Sequence, residues 1–346
     1  MSRLSHLLSL ASRKPKVAPT PFDVVFRENK WSLLRYRNPA RRFETPVLLV
    51  PSLINRHYVL DLMPGKSLVE YLVAQGHDVY CIDWGTPGDE DRYLTFDAIV
   101  DGYLGRAVRQ AARVAGAKKT HVLGYCMGGT LAAIHAAVRP EPIASLTTLA
   151  APVAFSEGGL LAFWTRAQSF DVSLLVDSLG NVPWPLLQFS FHLLRPTLSL
   201  AKVVGLIDRA ESDEFVDGFL AIEHWGNDNV ALPGAFYRTY VDELYRGDAL
   251  LAGRFALSGR PALLSNIRCP LHVVSFEHDN IVPKGAALPL LSHAGSADKR
   301  HLHLNGGHVG AVVSRSAAKG LWPALSAFWQ AHEPRPRVVP VHSAHG

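Results

Sequence analysis

The chain predicts an α/β fold, in which a mostly parallel sheet is covered by helices on both faces and is interrupted by an inserted helical cap domain. Three observations predict it. Short apolar runs alternate with longer amphipathic ones from Pro46 to Leu149, and again from Leu271 to Gln330. That alternation marks strand–helix–strand units with both sheet faces buried. Between the two stretches, from Phe155 to Gly259, no strand-like run stands out and aromatic residues are frequent. The composition permits a large core, since 48% of the 346 residues are hydrophobic and 19% charged.

The elements follow in order. Val47-Leu48-Leu49-Val50 is a short apolar run of the buried-strand kind. Ser67 to Ala74 is a helix, because Leu68, Tyr71 and Leu72 share one face and Gly76 stops it. Val79 to Ile82 is the next strand. Tyr93 to Val114 is helical, led by Thr95 as its cap with Asp97 and Asp101 near the positive end. His121 to Leu123 is a strand, Leu131 to Val138 a helix and Leu146 to Leu149 another strand.

The insert carries its own breakers, Gly180-Asn181-Val182-Pro183-Trp184-Pro185 and Leu232-Pro233-Gly234. Its aromatics, among them Phe163, Trp164, Phe170, Trp184, Phe189, Phe191, Trp225 and Phe236, read mainly as cap interior. Alternation resumes with the strand Leu271 to Val274, a helix near Ala286 to Leu291, the strand His301 to Leu304 and a last helix from Ser316 to Gln330. The expected organisation is a flexible arm at 1–20, a first core part at 21–154, the cap at 155–259, a second core part at 260–332 and a loose tail at 333–346.

Bulk properties exclude several classes. The net charge of +5 is not carried by any long Lys/Arg block, and its basic clusters, Arg13 to Lys16 and Arg335 to Arg337, lie at the ends. This is mild basicity and not a nucleic-acid footprint. Three cysteines, Cys81, Cys126 and Cys269, form no C-x-x-C pair, which argues against a disulfide framework and fits a reducing cytosol. No apolar run approaches the roughly 20 residues of a transmembrane segment. The Leu-rich patch Leu4 to Leu10 is broken by Ser and His and is not read as a signal peptide. No G-x-G-x-x-G follows the first strand and no phosphate-binding loop occurs, so no cofactor is expected.

The most informative run is Gly124-Tyr125-Cys126-Met127-Gly128-Gly129-Thr130. It joins an apolar strand to a helix, the context of a nucleophile elbow, with cysteine where serine is usual. The elbow needs small residues beside the nucleophile, and Gly124 and Gly128 supply them on either side of Cys126. The N-terminus of the helix that follows favours a thiolate. The Met127 N–H would face a developing oxyanion. A second oxyanion-hole donor is expected from the loop Val50-Pro51-Ser52-Leu53-Ile54-Asn55, with Leu53 the first choice and Ile54 the next.

Taken alone, this run is as well explained by a buried cysteine in a glycine-rich turn. Order along the chain decides for catalysis. In the α/β-hydrolase fold the acid follows a late strand and the histidine follows the last, in the order nucleophile, acid, His. Glu277-His278-Asp279-Asn280 comes directly after the strand at Leu271, and Asn305-Gly306-Gly307-His308 directly after the strand at His301. Cys126, Asp279 and His308 are therefore the expected catalytic set. Glu277 is the rival acid. Asp83 has a structural place after its strand. His57, His121, His135, His272, His301 and His303 read as packing or surface groups. His301 and His303 would bind a metal only with a third ligand, which the sequence does not offer, so no metal site is expected.

With these residues in place, the chain resembles the polyhydroxyalkanoate synthases. The resemblance rests on the cysteine box Gly124 to Gly129, on Leu53-Ile54-Asn55-Arg56-His57-Tyr58-Val59-Leu60-Asp61-Leu62, and on Gly76 to Tyr80 with Ile82-Asp83-Trp84-Gly85. It extends to Asp177-Ser178-Leu179-Gly180-Asn181-Val182-Pro183, Trp225-Gly226-Asn227-Asp228, Leu232-Pro233-Gly234, Asp279 to Pro283 and Gly306 to Gly310, and so covers residues 25–330. Lys284 stands where many members place an aromatic, and Asn280 where many have His. The short region before the core is similar to the short, two-subunit type.

The resemblance implies polymerisation of (R)-3-hydroxyacyl-CoA, with 3-hydroxybutyryl-CoA the leading substrate, into a polyester through a Cys126 thioester. It also implies a homodimer, a second synthase subunit, a growing polyester chain as partner and a cytoplasmic place at granule surfaces. Two rival readings stand beside it: a cysteine-nucleophile hydrolase (a depolymerase, a thioesterase or a dienelactone-hydrolase-like enzyme) and a non-catalytic granule protein. The long insert argues against the dienelactone type.

Overall fold

A computed structural model describes residues 15–194 and 204–334. Eight strands form one sheet: β1 (Phe22–Glu28), β2 (Trp31–Tyr36), β3 (Val47–Val50), β4 (Val79–Asp83), β5 (Thr120–Tyr125), β6 (Ile143–Leu149), β7 (Leu271–Phe276) and β8 (Lys299–Leu304). Their order across the sheet is β1-β2-β4-β3-β5-β6-β7-β8. Pairing is parallel from β4 through β8 and antiparallel for β1 with β2 and for β2 with β4. β3 is buried along its whole length, as an unbroken Val-Leu-Leu-Val run requires of a central strand.

Helices cover both faces. α1 (Leu68–Ala74) joins the core of one face, where the C-terminal helix also packs through Leu321, Trp322, Phe328 and Trp329. α2 (Gly105–Ala115) and α3 (Met127–Val138) bury Ala107, Val108, Leu131 and Ile134 on the other. The cap lies between β6 and β7. It holds α4 (Gly159–Arg166), α5 (Val172–Leu179), α6 (Trp184–Leu193), α7 (Asp213–Asn227) and α8 (Gly234–Thr239), the last continued by a π-helix, Tyr240–Arg246.

Several local expectations change. The β1–β2 hairpin precedes the first strand read from the sequence. It turns at Asn29, whose φ of 50° is the left-handed conformation that Asn tolerates. The helix expected over Tyr93 to Val114 begins only after a 3-10 turn (Asp89–Tyr93) and divides into a π-helix (Ala98–Leu104) and α2, although Thr95 does cap it, its hydroxyl accepting from the Ala98 N–H at 3.1 Å. Pro289 splits the helix near Ala286, and Gly320 interrupts the last one, so that α9 spans Leu321–Gln330.

The described end of the arm expected at 1–20 makes contacts with the core. Residues 1–14 lie outside the described residues, but Thr20 is buried and donates its N–H and hydroxyl to the Asp61 carboxylate at 3.1 and 2.8 Å. Asp61 accepts the Ser67 hydroxyl as well, and Ser67 in turn caps α1 at the Glu70 N–H. A buried carboxylate thus ties the chain's entry to the first helix. At the other end, residues 335–346 lie outside the described residues, while Glu333 accepts from the Thr45 N–H at 3.4 Å.

Candidate active site

Cys126 stands at the turn from β5 into α3 with φ 56° and ψ −130°, a conformation that costs a side-chain-bearing residue free energy and persists only where packing enforces it. Two glycines enforce it. A Cβ on Gly128 would lie 2.1 Å from the Val50 carbonyl oxygen, and one on Gly124 would lie 2.4 Å from the Gly129 Cα. Helix and strand meet more closely than any side chain allows. The Cys126 N–H donates to the Leu149 carbonyl at 2.9 Å and its carbonyl accepts from Gly129 at 2.9 Å, which fixes both sides of the turn.

Asp279 follows β7 and His308 follows β8, so both reach the carboxyl edge of the sheet where Cys126 lies. The Asp279 carboxylate is buried and fully engaged. One oxygen accepts from the Ile281 and Val282 N–H groups at 2.9 and 2.8 Å, and the other faces His308 Nδ1 at 2.7 Å. This bond sets the His308 tautomer and leaves Nε2 as the ring's other edge, buried and without a hydrogen-bond partner among the described residues. The His308 ring stacks on Tyr125 with centroids 5.2 Å apart, and the Tyr125 hydroxyl donates to the His308 carbonyl at 3.1 Å.

Burial opposes the positive charge on His308, but the Cys126 sulfur and the Asp279 carboxylate outweigh it and raise the group from 6.5 to about 10. The direction of that shift favours a protonated His308.

The rival acid is placed elsewhere. Glu277 accepts from His303 Nε2 at 2.6 Å, and His303 Nδ1 and His301 Nε2 both meet the Ser275 hydroxyl, at 2.9 and 3.0 Å. Among the described residues no group of three acidic, His or Cys side chains is arranged to hold a metal. Asp83 accepts from the Gly85 N–H at 3.1 Å and lies 3.5 Å from His57. Cys81 is fully buried.

Cys126 opens into a cavity of about 390 Å³ whose lining is predominantly apolar. Met127 and Ile54 lie at the Cys126 end, and Trp164, Phe170, Phe189 and Phe191 come from the cap. Leu53, the first choice for a second oxyanion donor, turns its side chain into a separate small cavity with Trp84 and Asp91. The Ile54 N–H is directed at the Ser52 hydroxyl at 3.4 Å.

Sequence reasoning missed Tyr237, Tyr240 and Tyr245, which also line the chamber. Burial, and then the charge of Cys126, pushes the Tyr245 phenol up, so it stays neutral. The 240-to-245 spacing is a π-helical turn, which places both rings on one side and which α-periodicity does not detect. Phe236, expected in the cap interior, stacks on Phe96 of the core at 5.1 Å, whereas Phe163 stands 70% exposed.

An elbow cysteine, a histidine held by an acid and an apolar chamber over the sheet's carboxyl edge together define an α/β-hydrolase-fold protein suited to acyl transfer. A family model described as alpha/beta hydrolase fold matches residues 45–313, and one for the poly-beta-hydroxybutyrate polymerase (PhaC) N-terminus matches residues 14–72. The chain is 35% identical over 313 residues to the poly(3-hydroxyalkanoate) polymerase subunit PhaC of Haloferax mediterranei, covering 90% of this chain and 64% of that protein. It is 34% identical over 311 residues to the subunit of the same name from Allochromatium vinosum, covering 88% and 87%. It is 32% identical over 337 residues to that of Synechocystis, covering 95% and 89%. The chain belongs to the PhaC family of poly(3-hydroxyalkanoate) polymerase subunits. Solved structures share its fold: a soluble variant of monoglyceride lipase from Saccharomyces cerevisiae (TM-score 0.57, 12% identity, 93% of this chain and 97% of that one) and a non-heme bromoperoxidase homologue, BpoC, from Mycobacterium tuberculosis (0.53, 16%, 93% and 99%).

Proposed function

We propose that this chain polymerises (R)-3-hydroxyacyl-CoA, with 3-hydroxybutyryl-CoA the leading substrate, into polyhydroxyalkanoate with release of CoA. The observation that carries the reading is the buried His308, held at Nδ1 by Asp279, together with Cys126 opening into an apolar chamber. The Cys126 sulfur attacks the thioester carbonyl. A Cys126–acyl bond forms, the acyl–CoA bond breaks, and the His308 proton leaves with the CoA thiolate. One thioester replaces another, so the acyl group stays activated. A serine ester would be a poorer donor.

Acylation also changes His308. Its charge is supported by the Cys126 sulfur, and an acylated sulfur no longer supplies that support. The neutral imidazole then takes the proton from the hydroxyl of the next 3-hydroxyacyl-CoA: an ester C–O bond forms, the Cys126–acyl bond breaks to release the Cys126 thiolate, and the lengthened acyl-CoA acylates Cys126 again. Asp279 orients the ring throughout. The backbone N–H groups of Met127 and Leu53 hold the oxyanion. The engagement of the Ile54 N–H with Ser52 supports Leu53 over Ile54. The chamber's aromatic lining keeps out water, which would otherwise compete for the acyl group.

Work at a polyester granule in the cytoplasm, as a homodimer with a second synthase subunit, belongs to the same proposal. Its support is the exposed cap surface, where Phe163, Leu174 and Leu160 are 70%, 65% and 48% exposed. Among the described residues no helix is long and apolar enough to cross a membrane.

The test is incubation with 3-hydroxybutyryl-CoA, with CoA release followed and the product identified. Polymer is expected from the wild type, no CoA release from Cys126→Ala and weak release at best from Cys126→Ser. Free 3-hydroxybutyrate as the main product, or full turnover by Cys126→Ala, contradicts the proposal.

A further inference from the structure

The acyl-transfer reading leaves two sequence motifs without a role: Asn55-Arg56-His57-Tyr58 after β3, and Trp225-Gly226-Asn227-Asp228 at the end of α7. The structure joins them. The Tyr58 hydroxyl donates to one oxygen of Asp228 at 2.9 Å, and Arg56 Nε donates to the other at 3.2 Å. The Trp225 indole N–H donates to the Arg56 carbonyl at 2.9 Å. Asn55 pairs with Asn229 both as an antiparallel bridge and through their side chains. The Val230 N–H donates to the Ile54 carbonyl at 2.9 Å.

These bonds converge on the loop that carries Leu53. On its upstream side, the Trp84 indole N–H holds the Pro51 carbonyl at 3.0 Å. On its downstream side, Val230 holds the Ile54 carbonyl. Leu53 lies between two anchored carbonyls, one held by the core and one by the cap. The cap strap does not end there. Leu232 exchanges backbone hydrogen bonds with Val182 at 2.8 and 3.0 Å, and Val182 lies in the loop between α5 and α6, which both line the chamber. A strap of five residues, Asp228 to Leu232, therefore ties the loop beside Cys126 to the chamber-forming helices.

We propose that this strap positions the oxyanion-hole loop, so that the Leu53 N–H is aimed at the reacting carbonyl only while the cap is seated, with Tyr58, Asp228 and Asn229 acting as positioning residues. The inference rests on the acyl-transfer reading. It predicts that strap variants lose carbonyl chemistry and keep a reactive thiol, because alkylation of a thiolate develops no oxyanion.

Two rates on the same proteins test it: acylation of Cys126 by 3-hydroxybutyryl-CoA, read by quenched intact-mass spectrometry, and alkylation of Cys126 by iodoacetamide. In Tyr58→Phe and Asp228→Ala, acylation should slow by about 10-fold or more, a part of what loss of an oxyanion donor costs, with alkylation unchanged. Asp228→Asn keeps an oxygen for the Tyr58 hydroxyl and should recover most of the acylation rate. Acylation at the wild-type rate in Tyr58→Phe and Asp228→Ala overturns the inference. So does an equal fall in both rates, which would make the strap a support of the fold alone. A wild type that alkylates but forms no acyl-enzyme overturns the acyl-transfer reading itself, and the inference with it.

Discussion

At the residue scale, the division of labour between Asp279 and Glu277 depends on where each side chain finds its hydrogen bonds. Both follow β7 within three residues. Glu277 turns along the sheet edge to His303, while Asp279 turns inward, where the Ile281 and Val282 N–H groups and His308 Nδ1 use its lone pairs. An acid held by its own loop orients a histidine without moving. Asp279→Asn keeps the shape and removes the charge that, with Cys126, sustains the proton on His308 against burial. CoA release should fall by about 10²–10⁴-fold, the range that positioned proton transfer supplies, and the pH midpoint of Cys126 alkylation should move. A variant with the wild-type profile would show that Asp279 does not support the His308 charge. The Asp279–His308 pair was legible in the sequence because each residue follows a strand that the sequence itself marks. The choice between Leu53 and Ile54 was less so, since a backbone N–H leaves no side-chain signature.

At the element scale, the central strands were the most legible. β3, β4, β5 and β7 are buried on both faces and read as bare apolar runs. β1 is an exposed edge strand with a weak pattern, and the hairpin it forms with β2 was missed, although β2 is largely buried and the turn residue Asn29 marks the bend. The elbow was readable because its geometry demands glycine. The crowding at Gly124 and Gly128 against the backbone of Gly129 and β3 is a local consequence of local sequence. The strap was not readable as a strap. Both of its motifs were visible, but Tyr58 meets Asp228 across a sequence separation of 170, and no periodicity records such a contact. The π-helix at Tyr240 hid the chamber tyrosines for a related reason, since its five-residue spacing mimics no regular face.

At the scale of the whole molecule, the sheet gathers its reactive loops at one edge, and the cap adds an apolar volume above them. The core carries a linked pH sensitivity. His77, His135 and His272 are each pushed down to about 4, in every case chiefly by burial. The unfolded chain takes up protons at these side chains as pH falls through 6.5, and the folded chain does not until about 4. Stability should therefore decline across that window. His308 behaves oppositely: its contribution is complete below 6.5 and is lost as pH rises through about 10. Urea midpoints measured from pH 7 to 4 should fall steadily, and His135→Met should reduce the slope by about one proton's worth. An unchanged slope would show that His135 is not held neutral.

The central claim is that Cys126 carries the growing acyl chain. The most direct measurement is mass spectrometry of the Cys126 peptide from a reaction with 3-hydroxybutyryl-CoA quenched in acid during turnover. A ladder of adducts on Cys126 is expected, each one hydroxyacyl unit heavier than the last. CoA release with Cys126 unmodified throughout, and the acyl group recovered as free acid, would contradict it.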